Sequence, residues 1–210
     1  MKRLFLCIVL ILCISVISFS QEIWFAGGTA FGNYFLNGED FKSNYTGSLG
    51  INLNFYALNE KNIGIFFNYG ILFPLTNSIG KGSDLSVQLD FIILGVGFGY
   101  DLSTNMKLYG GIGPNLNALF LNDSEGSDIT LADYIIGLGI GGDVGIKYNV
   151  VNRMTINVGT TFAYNFAAYR IEAITIKEGD WTRSKENSGL AARYSMISIK
   201  PYIAIGFSIN

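Results

Sequence analysis

The sequence predicts an all-β protein, an eight-stranded antiparallel up-and-down transmembrane β-barrel, and three observations carry that reading. Half of the 210 residues are hydrophobic and only 14% are charged. Beyond position 20 no apolar run reaches the roughly 18 residues that a membrane-spanning helix needs. Instead, apolar and polar residues alternate with period two in eight successive segments, joined by connections that are short and long in turn.

The first segment sets Ile23, Phe25, Gly27, Thr29, Phe31 and Phe35 against Trp24, Ala26, Gly28, Ala30, Gly32 and Tyr34. In the second, Leu49, Ile51, Leu53 and Phe55 oppose Ser48, Gly50, Asn52, Asn54 and Tyr56. The third places Ile63, Ile65, Phe67, Tyr69, Ile71 and Phe73 against Gly64, Phe66, Asn68 and Gly70. The fourth begins with Leu85, Val87, Leu89 and Phe91 against Ser86, Gln88 and Asp90, and its phase slips at Phe91-Ile92-Ile93, which predicts a bulge. The fifth has Met106, Leu108, Ile112, Leu116 and Phe120 against Lys107, Tyr109, Gly111, Gly113, Asn115 and Asn117. The sixth, from about Ile129, ends in GLGIGGDVGIKYNV. The seventh opposes Met154, Ile156, Val158, Phe162, Tyr164 and Phe166 to Thr155, Asn157, Gly159, Thr161, Ala163 and Asn165. The last opposes Ile197, Ile199, Ile203, Ile205, Phe207 and Ile209 to Ser198, Lys200, Tyr202, Ala204, Gly206 and Ser208.

Short connections fall at Asn59-Glu60-Lys61, Ser103-Thr104-Asn105 and Val151-Asn152-Arg153. Longer, charge-bearing ones fall at residues 37–43, 76–84, 122–128 and 170–189. Short turns at one end and long loops at the other describe an up-and-down barrel, and each segment supplies the ~10 residues that a strand tilted about 40° needs to cross a bilayer. A soluble, secreted lipocalin-like barrel is the rival architecture, with the apolar faces inside. Eight bulky apolar faces would overfill so narrow a lumen, whereas facing lipid they fit without strain, and closure leaves no unpaired edge.

The N-terminus reads as a targeting segment. Lys2 and Arg3 precede an apolar stretch from Leu4 to Ile17, and Ser18-Phe19-Ser20 offers small residues for cleavage. The expected division is a cleaved signal peptide at 1–20 and a barrel domain at 21–210. Cleavage removes both cysteines, Cys7 and Cys13, and leaves twelve basic against 16 acidic residues, a net charge of about −4. That balance argues against a nucleic-acid partner. A chain with no His, and no Cys after Cys13, has no disulfide framework, no Cys or His metal site and no His general base. No cofactor and no catalytic residue is expected.

Gly137, Gly139 and Gly142 also fit the dinucleotide fingerprint G-x-G-x-x-G. That motif requires a helix to start here. Gly141, Gly142 and Gly145 would each cost a helix interior about 1 kcal/mol, and no acidic residue lies between Val150 and Tyr169. As a strand, the stretch turns its glycines inward. With Gly111 and Gly113 on the fifth segment they form a nearly bare wall, facing Trp24, Tyr34 and Tyr56. The wall either makes room for these rings or lines a thin channel of Gly and Tyr.

The leader, the eight alternating segments and phrases such as YGGIGP and GLGIGGDVGIKYN resemble the small bacterial outer-membrane barrels of the OmpA, OmpX and OmpW type. The resemblance implies a bacterial outer-membrane location, contact with outer-membrane lipid, and delivery by the barrel-assembly machinery. Such barrels commonly end in an aromatic residue. Here Phe207 and Ile209 keep the alternation and the final residue is Asn210. Enzymatic members of this kind rely on His, so the resemblance implies a non-enzymatic barrel.

Five charges fall on inward positions, Asp90, Lys107, Asp143, Lys147 and Lys200, and are expected to form a lumen polar network. A Lys turned to lipid at mid-membrane costs ~2–4 kcal/mol. Lys200 is expected to meet Asp143 or Asp90. Pro114 and Pro201 fall on outward positions and remove ladder hydrogen bonds, so bulges are expected beside them. In the longest loop, Ile171, Ile174 and Ile176 suggest strands continuing above the membrane, and Trp181, Arg183 and Lys185 are candidate contacts for an extracellular ligand. Two functions follow: a structural or surface-binding barrel acting through its long loops, or a narrow channel for small or apolar solutes.

Overall fold

The computed structural model describes residues 22–37, 42–75, 84–123, 129–151, 153–178, 181–190 and 195–209. Residues 1–20, the expected signal peptide, lie outside them. The strands are β1 (Glu22–Asn37), β2 (Lys42–Leu58), β3 (Ile63–Pro74), β4 (Asp84–Ser103), β5 (Met106–Asp123), β6 (Ile129–Val151), β7 (Met154–Glu178), β8 (Trp181–Leu190) and β9 (Ser195–Ile209). Every pairing is antiparallel, and each strand from β1 to β7 pairs with the next. β9 closes the ring by pairing with β7 on one side and β1 on the other, from Ile23↔Ile209 to Asn37↔Ser195. Closure gives every barrel strand two neighbours, which a bilayer requires because hydrocarbon offers no partner to an exposed N–H or C=O.

β8 and β9 are two halves of one barrel strand. Both pair with the same edge of β7, β9 at Met154–Asn165 and β8 at Tyr169–Glu178. On β7 the two ladders are separated by residues 166–168, between Asn165↔Met196 and Tyr169↔Leu190. Within the expected loop, residues 170–178 and 181–189 are the upper parts of β7 and β8, paired from Tyr169↔Leu190 to Glu178↔Trp181, in keeping with the strand continuation that Ile171, Ile174 and Ile176 suggest.

The inside and the outside of the barrel follow the alternation. β9 runs exposed-buried over its length, with Ile203 59% exposed on the outer surface and Lys200 1% exposed in the lumen. This arrangement is the inverse of a soluble barrel, whose apolar side chains point inward. Outward glycines are covered by neighbouring side chains, Leu53 over Gly27 and aromatic rings over Gly110 and Gly142. A Cβ on Gly142 would lie 2.4 Å from the Phe162 ring, and one on Gly110 2.7 Å from Phe98.

The phase slip in β4 is a bulge. Pairing with β3 passes from Phe66↔Gly95 to Asn68↔Ile92, and pairing with β5 from Ile92↔Asn115 to Val96↔Ile112. Ile92 is thereby buried in the lumen while Leu94 and Val96 return to the lipid side. The break lies opposite Pro114, which itself pairs in regular register with Ile140. Pro201 likewise keeps its pairing with Thr160, and the β1–β9 ladder is interrupted beside it between Ala30↔Tyr202 and Asn33↔Ile199. A missing donor is absorbed by the neighbouring strand rather than by the proline's own.

The short turn after β2 is built by its side chains. Asn59 Oδ1 accepts from the backbone N–H of Lys61 at 2.9 Å and of Ile63 at 3.2 Å. Asn62 takes φ 56, the left-handed region that Asn tolerates better than most residues.

Candidate functional site

The lumen is filled in layers. Nearest the short-turn end, Trp24 stacks on Tyr56 with ring centroids 4.7 Å apart, and Tyr56 stacks on Phe66 at 5.3 Å. The edge of Tyr109 meets Trp24 at 5.7 Å and Tyr56 at 5.1 Å. The bare wall of β5 and β6 is what this layer rests on. A Cβ on Gly111 would lie 2.3 Å from the Phe66 ring, and one on Gly145 2.5 Å from the Tyr109 hydroxyl. Trp24 and Tyr56 point inward as the alternation predicts, but the groups seated on the wall come from β3, β4 and β5: Phe66, Ile92 and Tyr109. The side chain of Tyr34, the third ring expected here, lies outside the described side chains.

Above the rings sits Asp143. Tyr56 Oη donates to its Oδ2 at 2.6 Å, Tyr202 Oη approaches Oδ1 at 2.9 Å, and Thr161 Oγ1 reaches Oδ1 at 3.4 Å. Tyr109 and Tyr202 hydroxyls lie 2.8 Å apart. A buried carboxylate is tolerable when hydroxyl donors replace the water it loses. The next layer holds buried amides, among them Asn52, Asn54, Asn68, Asn115 and Asn165, linked by bonds such as Asn68 Nδ2 to Asn52 Oδ1 at 2.9 Å. With them lies Asp90, which accepts from Lys200 at 2.8 Å, Gln88 at 2.9 Å and Asn117 at 2.7 Å. Beyond this layer the lumen turns apolar, with Leu72, Leu119, Ile135 and Met196 buried.

Lys107 and Lys147 belong to a separate cluster at the short-turn mouth. Both ammonium groups bond Glu22, one on each carboxylate oxygen. Lys107 also reaches Asn62 Oδ1 at 2.7 Å and Asp101 Oδ1 at 3.2 Å, and Lys147 lies 4.6 Å over the Trp24 ring. The five lumen charges therefore divide into a mouth cluster, an isolated Asp143 and a Lys200–Asp90 pair. Sequence reasoning missed Glu22, Phe66, Tyr109 and Tyr202 as partners, although each falls on an inward position by parity. Among the described residues no group of three or more His, Cys, Asp or Glu is placed to hold a metal ion. Trp181, Arg183 and Lys185 lie on β8, opposite Glu178, Ile176 and Ile174 of β7, and their side chains lie outside those described.

Comparison with solved structures bears on the architecture. The Neisserial surface protein A structure superposes with a TM-score of 0.54 at 13% identity, over 88% of this chain and 96% of that one. The chain has the fold of a small outer-membrane β-barrel. This barrel is similar also to the outer membrane protein OprG from Pseudomonas aeruginosa, at TM-score 0.54 and 14% identity over 91% and 97% of the two chains. Ail, the attachment invasion locus protein of Yersinia pestis, matches at TM-score 0.51 and 12% identity over 90% and 98%, and its structure is also known in complex with the heparin analogue sucrose octasulfate. No family model matches the barrel's sequence, and no curated protein is similar to it.

Proposed function

We propose that the chain is a closed, non-enzymatic outer-membrane barrel that serves as a structural mount for its long-loop end, with a binding role for the β7–β8 ribbon at the cell surface. The observation that carries this reading is the filled lumen. Glycine faces ring and side chain rather than open space, since an added Cβ on Gly95 would lie 2.0 Å from Phe66 and one on Gly141 3.0 Å from Ile92. A channel lined by Gly and Tyr would need that space free. The same layers brace the barrel transversely, so the ribbon rises from a rigid base. The structure of Ail in complex with the heparin analogue sucrose octasulfate supports a surface ligand for a barrel of this fold.

Planar-bilayer recording of the refolded chain tests the reading. No resolved conductance steps are expected from the parent, and Phe66→Ala should create them by vacating the wall of Gly95 and Gly111. Steady steps from the parent at moderate voltage would favour the narrow channel instead.

A further inference from the structure

At the short-turn end the barrel opens into a polar vestibule of about 350 Å³, bordered by Asn59, Asp101, Thr104 and Asn149 and floored by Lys107 and Lys147. We propose that this vestibule is a binding site for the C-terminal carboxylate of a peptide, and that Glu22 occupies it as a built-in stand-in. It lies at the opposite end of the barrel from the surface ribbon and does not depend on the role proposed for that ribbon.

The two ammonium groups define the chemistry. Their side chains are only 9% and 2% exposed, yet they converge on one carboxylate, each taking one of its oxygens. Two fixed donors on the two oxygens of one anion form a carboxylate clamp. Lys147 is backed by the Trp24 ring, 4.6 Å from its ammonium, which holds that group in place. The floor carries two positive charges against the single charge of Glu22. Two further acids stand at the rim: Asp101, its side chain 60% exposed, which pairs with Lys107 and accepts from Asn62 Nδ2 at 3.1 Å, and the exposed Glu60.

A second feature selects a peptide over a bare anion. Asn149 lines the vestibule, and its buried Oδ1 accepts no hydrogen bond among the described residues. A carboxylate seated on the two lysines, followed by an amide N–H, would supply the donor that this oxygen lacks; acetate carries no donor, and the P–OH of a phosphate lies on the anionic centre itself rather than beyond it.

Glu22 is also placed to leave. It pairs with Leu58 on the β2 side, while the ladder to β9 begins one residue later at Ile23↔Ile209. Its departure frays one end of β1 and leaves the closing seam intact.

The test uses the chain refolded in detergent micelles with Trp181→Phe, so that Trp24 is the only remaining indole. Its fluorescence reports movement of Lys147. Acetyl-alanyl-alanine and inorganic phosphate are titrated at constant ionic strength held with sodium chloride. In Glu22→Gln the peptide should give a saturable change at a concentration at least tenfold below that needed in the parent, and tenfold below that of phosphate. Lys147→Met in the same background should abolish it. Asn149→Ala should weaken the peptide about tenfold and leave phosphate unchanged, and it serves where Lys147→Met fails to give a heat-modifiable band. No saturation in Glu22→Gln, or peptide and phosphate curves that coincide, would overturn the assignment.

Discussion

Lys200 Nζ, on the last strand, lies 2.8 Å from Asp90 Oδ2 on the fourth, and both side chains are 1% exposed. The pair spans the lumen rather than a strand ladder, so it ties the closing strand to the far wall. Breaking a buried pair from one side costs roughly 3–5 kcal/mol, because the other charge is left without a partner. Lys200→Met should therefore lower the urea midpoint of the refolded barrel sharply. Asp90→Asn added to Lys200→Met should recover part of the loss. A double mutant whose loss equals the sum of the two single losses would remove the coupling.

Asp143 tests hydroxyl donors in place of a counter-charge. Tyr56→Phe deletes the donor at 2.6 Å and should cost about 1.5–3 kcal/mol, the worth of a hydrogen bond to a charged group. Asp143→Asn in the same background should be milder than Tyr56→Phe with Asp143 retained. Equilibrium unfolding followed by Trp24 fluorescence gives both numbers.

Three glycines form a graded series on the inner wall. An added methyl would meet the Phe66 ring at 2.3 Å on Gly111, Ile92 at 3.0 Å on Gly141, and nothing nearer than Lys200 Nζ at 3.6 Å on Gly70. Overpacking costs about 1–3 kcal/mol, so alanine should be worst tolerated at position 111, intermediate at 141 and nearly silent at 70. Unheated gels and urea midpoints would rank them, and equal effects at 111 and 70 would contradict a filled wall.

Ile140, 52% exposed and one position from the buried Gly141, reads the outer surface. Ile140→Lys places an ammonium group in hydrocarbon at a cost of ~2–4 kcal/mol and should cut barrel assembly. Native heat-modifiability with lysine at 140 would contradict a lipid-facing belt.

Orientation is read by single cysteines, since no cysteine follows Cys13. Ser188→Cys, exposed on the ribbon, should label on intact cells with an impermeant thiol reagent, while Glu60→Cys and Thr104→Cys at the short turns should not. The reverse pattern would invert the barrel.

The period of two made the strands and both faces legible, because a residue's parity fixes its side of the wall. Even the bulge showed, as a broken phase at Phe91-Ile92-Ile93. What parity does not encode is height. Whether Lys200 meets Asp90 or Asp143, and whether Phe66 or Trp24 rests on Gly111, depends on the tilt and stagger of strands far apart in sequence. The upper part of β7 showed in Ile171, Ile174 and Ile176, whereas β8 reads as loop because its stretch TRSKENSG is polar throughout.

The seam between Ile23 and Ile209 joins the two ends of the described chain, and the ties inside the lumen also join residues far apart along it, 110 positions for Lys200 and Asp90 and 59 for Tyr202 and Asp143. Assembly is thereby made all-or-none. A chain halted before its last strand has no Lys200 for Asp90 and no Tyr202 for Asp143, and its polar wall stands open to hydrocarbon. An incomplete copy thus lacks both closing ladders and both of these ties, and all of them form together at one step, the docking of the last strand.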